Sequence, residues 1–162
     1  MPMSLSDCAA LLRGAGIRHH VDPEAETIRV LMLTGRYTSP RAERLAIVGI
    51  ATPDEGRRCR VAIAHAFAAG RDPAATCLAA CRLAAATPLA AVEYDAVRRT
   101  IAIVSEIPIA DGTLTADQLL AALEGVVLAA EAWHEPLAAS AGPAGRQSPR
   151  RRGRRGDTGR AA

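Results

Sequence analysis

Residues 92–119 read VEYDAVRRTIAIVSEIPIADGTLTADQL, and the order of signals in this stretch decides the fold. Val92 and Tyr94 share one face of a short strand, and Glu93 and Asp95 share the other, as period-2 alternation requires. Ala96-Val97-Arg98 is a hairpin connection. Arg99 to Ile107 returns as a second strand, with Ile101, Ile103 and Ile107 on one face. Asp111-Gly-Thr is a turn, and Thr115-Ala-Asp-Gln118 is a capping box, in which hydroxyl and amide side chains satisfy each other's free backbone N–H groups. A long helix opens there. Leu119, Leu123, Val126, Ala130, Trp133 and Leu137 recur every three or four residues and form one apolar stripe, with Pro136 at the frayed end.

Upstream, similar signals repeat. Ser4 with Asp7 caps a first helix whose Leu5, Cys8, Leu11 and Leu12 lie at helical spacing, and Gly14 and Gly16 end it. Ile17 to Val21 and Thr27 to Leu33 are strands joined by Asp22-Pro-Glu-Ala-Glu26, which carries turn chemistry. Leu45 to Ala51 is apolar on both faces, as a central strand is. Arg58 to Ala68 alternates, with Cys59, Val61, Ile63, His65 and Phe67 on one side. Its alanines also suit a helix, but the alternation favours a strand. Thr52 to Arg57 is the loop between these two strands. Asp72-Pro73 starts a second long helix, with Asp as cap and Pro in the first turn, and Thr87-Pro88 closes it.

The resulting order is α-β-β-β-β-α-β-β-α. It specifies an α+β fold, an antiparallel sheet with helices packed on one face. Its domain occupies residues 1–139, and residues 140–162 form a separate tail, rich in Gly, Pro, Ser and Arg and expected to be disordered.

Composition narrows the function. Hydrophobic residues make up 49% of the chain and aromatics only 2%, so the core is aliphatic, with Phe67, Tyr94 and Trp133 as its few large fillers. Every one of the 20 Lys+Arg residues is arginine. Beyond Ala139, seven arginines against Asp157 give the tail +6, and the whole-chain +3 leaves −3 for the body. Cys8, Cys59, Cys77 and Cys81 are expected to be free thiols in a reducing cytoplasm, since the N-terminus lacks a basic segment followed by an apolar run. No stretch is long and apolar enough to span a bilayer.

Candidate chemistry is sparse. Cys77 and Cys81 lie one helical turn apart, but no second ligand pair stands at zinc-site spacing, so no metal is expected. His19 and His20 are adjacent and point to opposite sides of a strand. His65 alternates with core residues and reads as a half-buried side chain. His134 sits near the end of the last helix, where a cation complements the dipole. Glu93, Asp95 and Glu106 could make a paired-carboxylate site, but such residues are more often the solvated face of a hairpin, here with Arg98 and Arg99 as charge partners. Phosphate-cradling, nucleophile-elbow and zincin motifs are absent. No catalytic residue and no cofactor is expected. Arg150, Arg151, Arg152, Arg154 and Arg155 could bind nucleic-acid phosphates non-specifically, but no aromatic is interleaved to stack on bases.

Val92-Glu-Tyr-Asp95, Thr100 to Pro108, Asp111-Gly-Thr-Leu-Thr-Ala-Asp-Gln-Leu119 and the long helix together resemble the YbjN-like family of bacterial proteins, which shares the fold of type III secretion chaperones. The resemblance covers residues 4 to 138 and is most specific from 92 to 134. The alanine-rich second long helix and the basic tail depart from the family pattern. It implies a non-enzymatic, cytoplasmic, homodimeric domain that binds another polypeptide through apolar surface, or one that acts in stress or sensory regulation. Leu31, Leu33, Val48 and Ile50 are the expected partner-binding residues, because they lie on strand faces opposite other apolar residues. The basic tail supplies the alternative, a nucleic-acid-associated regulator.

Overall fold

Alternation of small and branched side chains along the strands separates a covered face from an uncovered one. The computed structural model describes residues 2–109 and 113–140. Its elements are α1 (Leu5–Gly14), β1 (His19–Asp22), β2 (Thr27–Leu33), β3 (Leu45–Ala51), α2 (Pro53–Gly56), β4 (Arg58–Ala68), α3 (Pro73–Ala85), β5 (Ala91–Asp95), β6 (Thr100–Pro108) and α4 (Ala116–Ser140). All strand pairs are antiparallel, in the order β1-β2-β3-β4-β6-β5. The α+β class and the expected element order hold, with one addition. The β3–β4 connection closes as the single turn α2, with Asp54 and Glu55 in the left-handed region at φ 54°.

The caps form as the residue types dictate. Ser4 and Asp7 complete their reciprocal box, and the Asp72 side chain accepts from the Ala75 N–H. Thr115 Oγ1 accepts from the Gln118 N–H at 3.2 Å while Gln118 Oε1 accepts from the Thr115 N–H at 3.0 Å. Substituting such a cap by Ala costs about 1 kcal/mol. The turn residues Asp111 and Gly112 lie outside the described residues, as do the tail arginines Arg150, Arg151, Arg152, Arg154 and Arg155.

Helix α4 is the main covering element. Leu119, Leu123, Val126, Ala130, Trp133 and Leu137 are all buried, against sheet residues that include Val61, Ile63, Ile101 and Ile103. Each large side chain removed from water in this way contributes about 1.5–3 kcal/mol. Pro136 does not end the helix, which runs on to Ser140. Burial of Leu137 holds the last turn against the sheet side, and the proline ring is exposed.

Three side chains of α4 also fasten loops. The Trp133 indole N–H donates to Thr87 Oγ1 at 3.0 Å, which fixes the end of α3. Glu131 accepts the backbone N–H groups of Gly35, Arg36 and Tyr37, the last at 2.9 Å. His134 Nε2 lies 3.1 Å from Thr38 Oγ1. The strap of residues 35–38, which follows β2, is therefore tied down along α4. Tyr37 enters the core beneath it, 1% exposed, and its hydroxyl donates to the Ala66 carbonyl at 3.0 Å. At the opposite end the Met3 N–H donates to the Gly56 carbonyl at 3.1 Å, anchoring the N-terminus on α2.

Candidate functional site

On β2 the residues Ile28 and Val30 point to the helices, so Arg29, Leu31 and Leu33 must point the other way. Register carries this division across the sheet. Leu31 stands opposite Ile47, Leu33 opposite Leu45 and Arg29 opposite Gly49. Gly49 is followed by Ala62, and Ala62 by Val104. The result is an apolar ridge of Leu31 (61% exposed), Leu33 (87%) and Ile47 (47%) on the uncovered face. Beside it runs a shallow trough of about 540 Å³ whose floor is Gly49, Ala62, Ala64 and Ala102.

The expected partner-binding residues are therefore split by the pleat. Leu31 and Leu33 are on the uncovered face. Val48 and Ile50 are both 0% exposed, on the helix-covered face opposite Val30 and Ile28, so they are core and not surface. Strand β3 is apolar on both sides, so its hydrophobicity alone does not say which set is inside. Pairing with β2 does, and it substitutes Ile47 for Val48 and Ile50 in the exposed set.

The far wall of the trough is ionic. Arg60 on β4 reaches Glu93 on β5 and Glu106 on β6, at 2.7 and 3.0 Å from its Nη1. Arg58 joins Glu106 at 2.9 Å and also pairs with Asp54. Hydrogen bonding from Arg60 holds the Glu93 carboxyl below its usual range. A carboxylate held ionised by a guanidinium fork is the reverse of the raised-pKa acid that general acid catalysis needs near neutral pH. Of the charge partners expected from sequence, Arg98 pairs with Asp95 at 3.0 Å across the hairpin turn, while Arg99 donates instead to the Gly70 carbonyl. Arg58 and Arg60 were not legible as partners because β6, not β5, is the neighbour of β4.

His65 is exposed and not half-buried in the core. A register shift between Ile63 and Phe67 turns it outward, where its Nδ1 lies 3.1 Å from Thr100 Oγ1. His134 is packed between Tyr37 and Phe67, with ring centroids 5.9 and 6.4 Å away. His19 Nδ1 lies 3.0 Å from the Ile17 carbonyl. Cys8 and Cys59 are buried between α1 and β4, while Cys77 and Cys81 lie toward the surface of α3. Among the described residues, no three His, Cys, Asp or Glu side chains gather as a metal site, and no helix is long and apolar enough to cross a membrane.

No family model matches the sequence, and no curated protein matches it. Two solved structures share the fold. One is a chain of the HopA1–SchA chaperone–effector complex, 12% identical, with a TM-score of 0.54 over 78% of this chain and 88% of that one. The other is YbjN from E. coli, 11% identical, with a TM-score of 0.57 over 83% of this chain and 93% of that one. The chain thus has the type III secretion chaperone-like α+β fold that the 92–134 resemblance implies.

Proposed function

We propose that this protein is a non-enzymatic polypeptide-binding module, acting in the cytoplasm as a homodimer and holding an apolar segment of another protein against the uncovered sheet face. One observation carries the reading. Leu31, Leu33 and Ile47 form a contiguous apolar ridge on a sheet face that no helix covers among the described residues. Apolar side chains gathered in this way, beside a trough and an ionic rim, are the anatomy of an interaction surface. The shared fold of a chain from a chaperone–effector complex supports the same reading. The trough floor of glycine and alanine leaves room for a partner's larger side chains.

The test is native mass spectrometry of the tagged chain recovered gently from its host, beside the double variant Leu31→Asp/Leu33→Asp. The expected result is twice the subunit mass plus one recurring polypeptide, with that polypeptide absent from the variant. A bare monomer, or a companion retained equally by the variant, refutes the reading. Circular dichroism checks that the variant is folded, since both side chains are exposed.

A further inference from the structure

Cys77 and Cys81 stand one turn apart on α3, the helix that packs over β5. Both border a small gap of about 80 Å³ between helix and sheet, together with Ala80, Val92, Tyr94 and Ile101. Glu93 also borders it, but its carboxylate is committed to the Arg60 fork. Burial and then the neighbouring Cys81 push the Cys77 thiol up, so Cys77 is not an activated nucleophile of the low-pKa kind. Nor does the pair close as a disulfide, and both cysteines are free. Cβ atoms four positions apart on a helix are about 5–6 Å from one another, whereas a disulfide needs about 3.5–4.5 Å.

What spans such a pair is an ion lying between the two sulfurs. Zinc asks for more protein ligands than two, and no three His, Cys, Asp or Glu side chains gather among the described residues. Calcium and magnesium take oxygen ligands. A soft monovalent ion prefers thiolates and is satisfied by two of them. We propose that Cys77 and Cys81 form a two-coordinate site for a soft cation with a filled d shell, Cu(I) being the physiological example. The ion bonds both sulfurs, and each thiol releases its proton to water. Copper stays monovalent, so no electron moves. Exposed Cys81 gives the ion its entry, and the apolar side chains beside half-buried Cys77 keep water and oxygen ligands from the inner side. The site lies on the helix-covered side of the sheet, away from Leu31 and Leu33, and is independent of polypeptide binding there.

The test uses the full chain, reduced and free of oxygen, with Cu(I) supplied as its bicinchoninate complex, whose colour fades as copper is withdrawn. One Cu(I) per chain is expected, with Cys77 and Cys81 protected together against iodoacetamide in peptide mass spectra. Two tethered ligands outdo one by about 10²–10⁴-fold, so Cys77→Ser and Cys81→Ser should each weaken binding at least about 100-fold. A chain that leaves the copper with bicinchoninate overturns the proposal, as does a single variant that binds as tightly as the wild type. Copper retained by the double variant Cys77→Ser/Cys81→Ser lies at Cys8 and Cys59 and overturns it too. A copper-bridged dimer in native mass spectra, with one thiol from each chain, does the same. If a variant fails to fold, the wild type decides alone. Joint protection of both thiols at one equivalent then supports the site, and protection of one thiol or neither overturns it.

Discussion

Replacing Gly56 by alanine should destabilise this protein strongly. Its φ of +79° is left-handed, which costs a residue with a side chain about 1–2 kcal/mol. The added Cβ would also stand 2.2 Å from the Met3 carbonyl oxygen and 2.7 Å from the Met3 nitrogen. Both are backbone atoms and cannot rotate aside, so the N-terminal segment must move. Moving it breaks the Met3 N–H to Gly56 bond, worth about 0.5–1.5 kcal/mol. It also draws the buried Met3 side chain partly from the core, for about 1–2 kcal/mol more. The sum is about 2.5–5.5 kcal/mol, a large part of the stability of a domain this size. With a urea slope of about 2 kcal/mol per molar, the unfolding midpoint should drop by roughly 2 M. Gly125→Ala is the control: it lies in mid-helix α4 with nothing within 4 Å, and should gain about 1 kcal/mol. A Gly56→Ala midpoint within about 0.5 M of wild type, at unchanged slope, refutes this account of the contact.

Val48→Asp should prevent folding, whereas Leu31→Asp should shift the urea midpoint by less than about 0.5 kcal/mol equivalent, because the two leucine-like positions lie on opposite faces. Glu131→Ala should cost about 2 kcal/mol in the same assay by orphaning three N–H donors at once. For Glu131 itself, burial opposes ionisation, but the donors of Tyr37, Gly35 and Arg36 outweigh it and hold the carboxyl below its usual range. Its stabilising contribution is therefore complete above the ordinary carboxylate range and lost as pH falls through its lowered value. Thermal melts from pH 7 to pH 3 should fall less steeply for Glu131→Gln than for wild type. Thr87→Val should free the Trp133 indole N–H and cost about 1 kcal/mol, with a shift in tryptophan emission.

What could be read from the sequence was whatever local chemistry decides. The spans of β2, β3 and β4, the three capped helices and all six α4 core positions depend on period and cap residues within a few positions of one another. What required pairing was not readable. Val48 and Ile50 were indistinguishable from Ile47 until β2 set the pleat against them. His65 followed the alternation of β4 until the register shift after Ile63 reversed it. The Arg60 fork to Glu93 and Glu106 depends on β6 lying between β4 and β5, and nothing in the hairpin 91–108 announces its inner neighbour. Glu131 and His134 carried no signal, since their partners in the strap lie more than 90 positions away in sequence.

That strand order has a consequence during synthesis. Strands β1 to β4 can pair in sequence as they emerge, each on its predecessor, but the outer edge of β4 waits for β6. Helix α3 and strand β5 are made in between, and β5 has no partner until its own hairpin returns. Val61 and Ile63 likewise lack the cover of α4, which is made after all six strands. At bacterial or eukaryotic elongation rates of about 5–20 residues per second, the nascent chain carries an unpaired, half-apolar edge for several seconds. Arg58 has Asp54 beside it from the start, but Arg60 on that edge strand presents its positive charge to any neighbouring chain until Glu93 and Glu106 arrive to pair with it.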